Sequence, residues 1–385
     1  MSAQPNPADK SAEVREELRL LRDSAADFAK GSTDHKRTRA LRNALPGHDP
    51  KLIAAMGELG WFGILVPESR GGLGLGFAAM AAVLTELGRG LLGEPLIANV
   101  VLAARALELG DNEALKAKLL PAIADGAARI ALAWQEESGA IDPAIATTSA
   151  VLAAGASRLS GRKRFIAGSA SAAGFLITAR SEQGVGLYWV ERDAAGLSLE
   201  HEWRADGTPS GRLTLYDVQA EAVAARPGLA AAALARALDE AAVMIAAELF
   251  GVLSETLART LDYLKTRVQF DKPIGSFQSL QHQAVDLFIL QEVCESVLGD
   301  ALRALDDPET PPLERARIAS RAKARLSEGA LRVTREALQL HGAIAITDDC
   351  DIGLYFKRAI ALSAWLGNAD AHRRRFIALG GAKAR

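Results

Sequence analysis

The sequence predicts an α+β multidomain fold, in which an N-terminal α-helical domain and a C-terminal four-helix bundle flank a middle antiparallel β-barrel or sandwich domain. Two changes in the spacing of apolar residues indicate this order. Apolar residues recur three and four apart from about residue 14, short strand-like runs follow near residue 130, and the helical spacing returns at Pro227-Gly228. We therefore expect domains at residues 1–128, 129–228 and 229–385.

Alanine and leucine, both strong helix formers, dominate the N-terminal part. The apolar spacing predicts helices near residues 52–61, 78–89, 98–109 and 113–123. Pro67 ends the first of these helices, and a glycine-rich segment after it predicts a loop. The N-terminal domain is thus expected to be helical throughout.

The middle part contains short strand-like runs at residues 149–153, 164–166, 175–179, 186–191 and 212–216. Clusters of Gly, Ser and Asp separate these runs, and the fourth, GLYWVE, has the aromatic and β-branched residues typical of strands. A block of about 100 residues with this pattern predicts a small antiparallel barrel or sandwich.

The C-terminal part has leucines three or four apart that would form one apolar helix stripe: Leu249, Leu253, Leu257, Leu261 and Leu264. A second stripe begins at Leu280 and includes Cys294, which we expect to be a packed core thiol. Residues 312–340 and 354–378 predict two further long helices. Four amphipathic helices with short connections predict a four-helix bundle.

The composition limits the classes of partner. The chain has 385 residues with 45 basic and 47 acidic side chains, which argues against nucleic-acid and membrane partners. Its two cysteines are too few for a disulfide framework, and no group of residues has the spacing of a metal site. The polar N-terminus lacks the apolar region of a secretory signal, and no stretch predicts a membrane span, so we expect a cytoplasmic protein.

Two stretches are more specific than composition explains, YLKTRVQFDKPIGSFQSLQHQAVDL at 263–287 and LQLHGAIAITDDCDIGLYFKRA at 338–359. The first resembles the R-x-x-F-G-x-x-I-x-x-F-Q signature of the acyl-CoA dehydrogenase family, with Asp271 in the place of the glycine. The second resembles its Q-x-x-G-G segment, with Ala343 in the place of the second glycine. Within the family, both look closest to the small subunits of pimeloyl-CoA-type dehydrogenases. The matching positions are Arg267, Phe270, Ile274, Phe277, Gln278, Gln339 and Gly342.

The resemblance implies FAD as cofactor, an acyl-CoA thioester as substrate and electron transfer flavoprotein as electron acceptor. It also implies a homo- or hetero-oligomer, because Arg267 would bind the FAD pyrophosphate across a subunit interface. A guanidinium is suited to this role, since it is permanently charged and offers bidentate donors. The amides of Gln278 and Gln339 would serve the adenosine half, and Gly342 would let the backbone approach the phosphates. Phe270 belongs to the same predicted cofactor-binding group.

The middle domain carries weaker versions of two family loops. The family's T-E-P-x-x-G-S-D loop, which touches the isoalloxazine ring, corresponds to residues 135–142 and keeps its acids but not its threonine, proline and serine. The W-I-T segment corresponds to residues 165–167, where Phe165 could still pack on the ring but Ala167 has no hydroxyl for flavin N5. Trp134, Gln135, Phe165 and Ala167 complete the predicted cofactor-binding residues.

The catalytic base is the largest departure. The family removes the α-proton of the thioester with a glutamate, and Gly367 occupies that position here. Some members place the base 26 residues before the signature arginine, where this chain has Ala241. The adjacent Glu240 is the candidate catalytic residue, provided that its helix is shifted or turned relative to the family. Weaker candidates are Glu248, His341, Asp348 and Asp349.

The sequence is compatible with three functions. The favoured hypothesis is an FAD-dependent acyl-CoA dehydrogenase subunit that lacks the usual glutamate and depends on a partner chain or on Glu240. The alternative is a catalytically silent subunit that binds flavin or acyl-CoA within a heteromeric dehydrogenase. A third is an oxidase or monooxygenase on the same fold. The acyl group is not predicted, and fatty, dicarboxylic, aromatic and steroid thioesters all fit the sequence.

Overall fold

A computed structural model describes residues 7–32, 35–137, 141–153, 156–224, 226 and 228–380. The N-terminal part that it describes is helical, as predicted. The elements are α1 (Pro7–Ser32), α2 (His35–Leu41), α3 (Pro50–Glu58), α4 (Phe77–Arg89), a π-helix (Ile97–Ala104) that continues into α5 (Arg105–Glu108), and α6 (Glu113–Ala124). Side-chain caps fix two of the starts, because Asp49 accepts from the first turn of α3 and Asn112 from that of α6.

The middle part is a β-barrel. Its strands are β1 (Ile130–Ala133), β2 (Ser149–Ala153), β3 (Ala156–Ala167), β4 (Gly174–Ser181), β5 (Gly184–Glu191), β6 (Leu197–Trp203) and β7 (Pro209–Ala224). The strand order is β1-β4-β2-β3-β7-β5, with β6 on β7, and β5 pairs back onto β4 to close the ring.

The barrel differs from the prediction in two respects. Its pairing is not wholly antiparallel, because β1 and β2 run parallel to β4. In addition, the strand-like runs predicted from the sequence do not include β1 and β6. Every residue of β1 is buried, so its sequence IALA lacks the alternation of a half-buried strand and cannot be told from a buried helical segment.

The C-terminal part contains three long helices, α7 (Leu229–Thr266), α8 (Gln278–Asp306) and α9 (Pro312–His341). A hairpin of β8 (Val268–Gln269) and β9 (Lys272–Pro273) joins the first two. The predicted fourth helix is wrong as a single element. It is divided into α10 (Ile352–Ala364) and α11 (Ala369–Ala378), because Leu366 and Gly367 have φ of 58° and 106°. The break therefore falls at the position of the missing base.

Helix α7 is the centre of the core. It packs against α4, α8, α9 and α10. The helix is long and apolar enough to span a membrane by length and composition, but 89% of its most apolar 18-residue stretch is buried inside the protein, as is usual for a core helix. Helices α4 and α7 approach closely, since a methyl group on Gly88 would collide with the carbonyl of Glu248 and one on Gly251 with that of Thr85. Cys294 is a buried core thiol, as expected, and burial raises its pKa to about 12.

Candidate active site

The two predicted flavin-ring loops lie side by side at one end of the barrel. Trp134 and Gln135 follow β1 directly and are both buried. The carbonyl of Gln135 accepts a 2.8 Å hydrogen bond from the backbone N–H of Arg164, in the second loop. The structure thus brings together residues that are about 30 positions apart in the chain.

An ion pair between a buried lysine and a largely buried glutamate joins the same two loops. The ammonium of Lys163, on β3, lies 2.6 Å from Oε1 of Glu136 and 2.9 Å from the hydroxyl of Thr178. Glu136 also accepts hydrogen bonds from both the backbone N–H and the hydroxyl of Thr147 and Thr148.

Both members of this pair are charged at neutral pH. Burial alone would raise the pKa of Glu136, but the hydrogen bonds from Lys163, Thr147 and Thr148 outweigh it and lower that pKa to about 2. Burial lowers the pKa of Lys163 to about 8, so the ammonium form still predominates at pH 7.

The second loop turns at Phe165. This residue has φ of 58°, at an irregularity in the pairing of β3 with β7 between Lys163 and Ile166. The Arg164 guanidinium carbon lies 4.8 Å from the centre of the Phe165 ring, a cation–π arrangement. Ala167 is paired with Ser210 of β7 and is half-buried. The turn therefore presents an aromatic side chain and backbone groups, but no hydroxyl, beside Trp134 and Gln135.

The second group of predicted cofactor residues lies at the ends of α7 and α9 and at the start of α8. The rings of Tyr263 and His341 stack 4.3 Å apart, and the Tyr263 hydroxyl donates to the His341 carbonyl at 3.3 Å. This contact joins the end of α7, where Arg267 lies, to the end of α9, where Gln339 and Gly342 lie. Tyr263 is the first residue of the stretch 263–287 but lies outside the signature positions, which begin at Arg267, and sequence reasoning gave it no role.

The hairpin between Arg267 and Gln278 is built on a two-residue turn. Phe270 and Asp271 both have positive φ, 54° and 61°, as a type I′ turn requires. Asp tolerates this conformation better than most residues, which explains how it replaces the family's glycine. Phe270 is 86% exposed, although its ring meets that of Phe277 edge-on.

Arg267, Gln278 and Gln339 fit the FAD group that the resemblance assigns to them. All three side chains are exposed, and none of them forms a side-chain hydrogen bond within the described part of the chain. Their donors and acceptors are therefore available to a pyrophosphate and an adenosine. Gly342 is also exposed, has φ of 72° and would have no neighbour within 4 Å of an added Cβ, so the backbone is open there.

Helix α8 carries a row of exposed apolar side chains. Four side chains spaced along one face of the helix are exposed: Val285, Phe288, Ile289 and Val293. Together with Phe270 they form what we call the α8 face. Solvent-exposed apolar patches of this kind mark protein–protein contacts.

The break between α10 and α11 is held by a buried lysine. Lys323, on α9, is fully buried and donates to Ser327 Oγ, to the Ser363 carbonyl and to the Gly367 carbonyl at 3.0–3.1 Å. No carboxylate accompanies it among the described residues, and burial lowers its pKa to about 7. The sequence signal was a lysine in the otherwise apolar stripe of Ala316, Ala319, Leu326 and Ala330.

Gly367 leaves little space for a side chain. A Cβ there would lie 3.1 Å from Ile141 and 3.2 Å from His372, and φ of 106° is unfavourable for any residue but glycine. His372 is buried, and its Nε2 lies 3.0 Å from the carbonyl of Leu366. Burial, with Lys323 nearby, lowers the pKa of His372 to about 3, so that the ring is neutral.

Glu240 lies in a double ion pair. Its carboxylate is 1% exposed and contacts Arg105 of α5 through bonds of 2.9 and 3.2 Å and Arg236 at 2.9 Å. Both oxygens of the carboxylate are thus engaged by guanidinium groups, in charge-assisted hydrogen bonds that hold the side chain in place. These contacts favour a structural role for Glu240 over the catalytic role suggested by its sequence position.

Glu248 is buried rather than at the surface. Its Oε1 accepts from Arg358 at 2.8 and 2.5 Å, and Arg358 also reaches Asp206 at 2.7 Å. Burial raises the pKa of Glu248, against the opposing effect of Arg358. Of the other weak candidates, His341 stacks on Tyr263, and Asp348 contacts Arg39 and Arg42.

Two small cavities border the predicted reaction centre. One, of about 40 Å³, is lined by Ala167, Trp365 and Glu248, and the other, of about 20 Å³, by Trp134, Leu366 and Asp239. Arg375 of α11 crosses the second cavity to reach Asp239 at 2.5 Å. Sites that enclose organic ligands usually have roughly 300–1,000 Å³, so neither cavity holds an acyl chain as it is shaped.

The chain matches two family models. The one described as acyl-CoA dehydrogenase, N-terminal domain, covers residues 15–127, and the one described as acyl-CoA dehydrogenase, C-terminal domain, covers residues 227–379. Acyl-CoA dehydrogenase IpdE2 of Mycolicibacterium smegmatis is 31% identical over 366 residues, which span 95% of this chain and 99% of that protein. IpdE2 of Mycobacterium tuberculosis is 30% identical, over 89% of this chain and 91% of that one.

Among solved structures, a glycine-to-alanine variant described as the Tcur3481-Tcur3483 steroid ACAD superposes with a TM-score of 0.86. It is 34% identical to this chain, and the superposition covers 96% of this chain and 98% of that one. The similarity therefore extends over the helical domains and the barrel between them.

Proposed function

Since this chain belongs to the acyl-CoA dehydrogenase family of FAD-dependent oxidoreductases, we propose that it is a subunit of a heteromeric acyl-CoA dehydrogenase and completes an FAD site across the subunit interface. The reaction removes the α-proton of an acyl-CoA thioester to a carboxylate and the β-hydrogen, with its electron pair, to the oxidised flavin. Electron transfer flavoprotein is the proposed acceptor of those electrons.

The crowded turn at Gly367 carries this proposal. The usual base position has left-handed φ, a Cβ there would touch Ile141 and His372, and Glu240 is bound by two arginines. The chain thus has no free carboxylate at any of the positions that the resemblance assigns to the base. A partner chain with its own glutamate would supply the proton acceptor in the partner's active site.

The cofactor residues support the same assignment. Arg267 and Gln278 flank the hairpin that leads into α8, Gln339 lies in the last turn of α9, and all three side chains are exposed without a side-chain hydrogen bond in the described part of the chain. In this proposal they bind the pyrophosphate and adenosine of a flavin whose ring rests on the partner. The description of the relative that is 34% identical names two proteins, Tcur3481 and Tcur3483, which is consistent with a heteromeric assembly.

A catalytically silent subunit is the second candidate. It is favoured by the cavities of about 40 and 20 Å³ and by the Asp239–Arg375 ion pair that crosses the smaller of them. In that case this chain's own acyl-CoA site stays closed, and only the partner turns over substrate.

Anaerobic titration tests both candidates. The chain is purified alone and with any subunit that co-purifies, and the bleaching of flavin absorbance is followed as acyl-CoA is added. Steroid-derived thioesters come first, because the relative that is 34% identical is described as a steroid ACAD. We expect bleaching of the assembly and little or none of the chain alone. Brisk bleaching of the chain alone would contradict both candidates.

A further inference from the structure

We propose that Glu136 and Lys163 are a positioning pair, which sets the relative placement of the two loops that contact the flavin ring in this family. The proposal rests on the assignment of Trp134, Gln135, Phe165 and Ala167 to a flavin site. It adds two residues that do not touch the ring but determine where the ring-contacting backbone lies.

The pair has a suitable location in each loop. Glu136 follows Trp134 and Gln135 directly, and Lys163 comes two residues before Phe165. The Lys163 ammonium also donates to the Thr178 hydroxyl, which in turn donates to the Trp134 carbonyl at 3.3 Å. One buried cation therefore connects the end of β3 to both the side chain and the backbone of the other loop.

Stability alone does not account for this arrangement. Burying an ammonium and a carboxylate requires stripping both of water, and an apolar pair of similar volume commonly stabilises a fold equally well or better. A charge-assisted pair differs from an apolar one in its fixed geometry, with bonds of 2.6 and 2.9 Å from Lys163 to two separate elements.

This chain depends on backbone position more than the family pattern implies. Gln135 stands in the place of the loop threonine, and Ala167 in the place of the threonine expected near flavin N5. With those hydroxyls absent, backbone groups of the two loops supply a larger share of the hydrogen bonds to the ring. A shift of about 1 Å between the loops would then weaken every such contact.

The test compares FAD binding by the purified assembly with that of four variants. Lys163→Met removes the cation, Lys163→Arg retains it, and Glu136→Gln with Lys163→Met removes both charges while an amide oxygen still accepts from Thr147 and Thr148. Lys118→Met is the matched control, because Lys118 forms a 3.0 Å pair with Glu191 that is exposed and remote from both loops. Each protein is examined by thermal melting, FAD dissociation constant and the fine structure of the visible flavin band.

We expect Lys163→Met to raise the FAD dissociation constant about tenfold or more and to blur the flavin band, with Lys163→Arg intermediate and Lys118→Met unchanged. The double variant decides the case if Lys163→Met fails to fold, since it leaves no unpaired buried charge. A double variant that melts like the wild type but retains the binding defect supports positioning. A folded Lys163→Met or double variant with wild-type affinity and spectrum overturns it. A wild-type assembly that holds no FAD would instead overturn the flavin-site assignment, and this proposal with it.

Discussion

The ammonium group of Lys323 donates a 3.0 Å hydrogen bond to the carbonyl oxygen of Gly367, across 44 positions of sequence. Two further bonds, to Ser327 and Ser363, use the remaining N–H groups of the ammonium. The lysine thereby holds the break between α10 and α11 in a conformation that only glycine adopts easily at position 367. The loss of the family's glutamate is thus accompanied by a turn whose shape excludes it.

Restoring the missing base should fail. We expect Gly367→Glu to give no gain in flavin reduction by acyl-CoA, because its Cβ would crowd Ile141 and His372. Gly380→Glu is the control, since Gly380 also has positive φ but has open space around it. Urea denaturation should show that Gly367→Glu lowers the free energy of unfolding by about 1–3 kcal/mol more than the control variant does. A variant that folds normally and reduces flavin rapidly would show that the turn can open.

Glu240→Gln should affect stability rather than chemistry. Removal of the carboxylate leaves Arg105 and Arg236 without their shared buried partner, and we expect a loss of about 3 kcal/mol in the free energy of unfolding. Glu200→Gln breaks an exposed pair with Arg212 and should have little effect. Flavin reduction per folded assembly should be unchanged. A selective loss of reduction with normal stability would restore Glu240 as the catalytic base.

Arg267→Ala should release FAD. Loss of a charge-assisted contact to the pyrophosphate, about 1.5–3 kcal/mol, corresponds to roughly tenfold to a hundredfold weaker binding. Arg212→Ala, on the barrel, serves as the control. FAD occupancy is measured from absorbance after dialysis. Full occupancy of the Arg267 variant would remove Arg267 from the proposed site.

The α8 face should be required for assembly. We expect Phe288→Glu to lower the mass measured by light scattering and to reduce FAD retention in parallel, because a charge would be buried in an apolar contact. Leu152→Glu alters an apolar residue on β2 that is more exposed than Phe288, at 77% against 50%, and it should leave both the mass and the FAD retention unchanged. A wild-type monomer at micromolar concentration that retains FAD would contradict this prediction.

Stability should rise with pH on account of Lys323. Its pKa is about 7 in the folded chain and about 10.4 in the unfolded chain, so between those values the unfolded chain binds the extra proton. The free energy of unfolding should therefore increase from about pH 7 to pH 10, by at most about 1.4 kcal/mol per pH unit. His372 remains neutral throughout this range. The difference between the wild type and Lys323→Met in urea titrations isolates this contribution, and parallel pH profiles would refute it.

The sequence by itself determined the order of the domains and the family. Periodicities of 3.6 and 2 are local properties, so they identified helices α3 to α9 and most of the barrel strands without tertiary information. Arg267, Gln278 and Gln339 were assigned by the resemblance of two local motifs to the family, and their roles stay predictions.

Only the tertiary structure decided which charged residues are buried and which partners they have. The position of Glu240 on its helix suggested a catalytic base. The structure pairs it instead with Arg105, which is 135 residues away in the sequence and so could not be recognised as its partner from the local pattern. Lys163 and Lys323 are buried with partners on other elements, and the break at Gly367 depends on one of them. The physical reason is that the protonation and orientation of a buried charge depend on the groups packed around it, and a spacing pattern in one segment does not contain them.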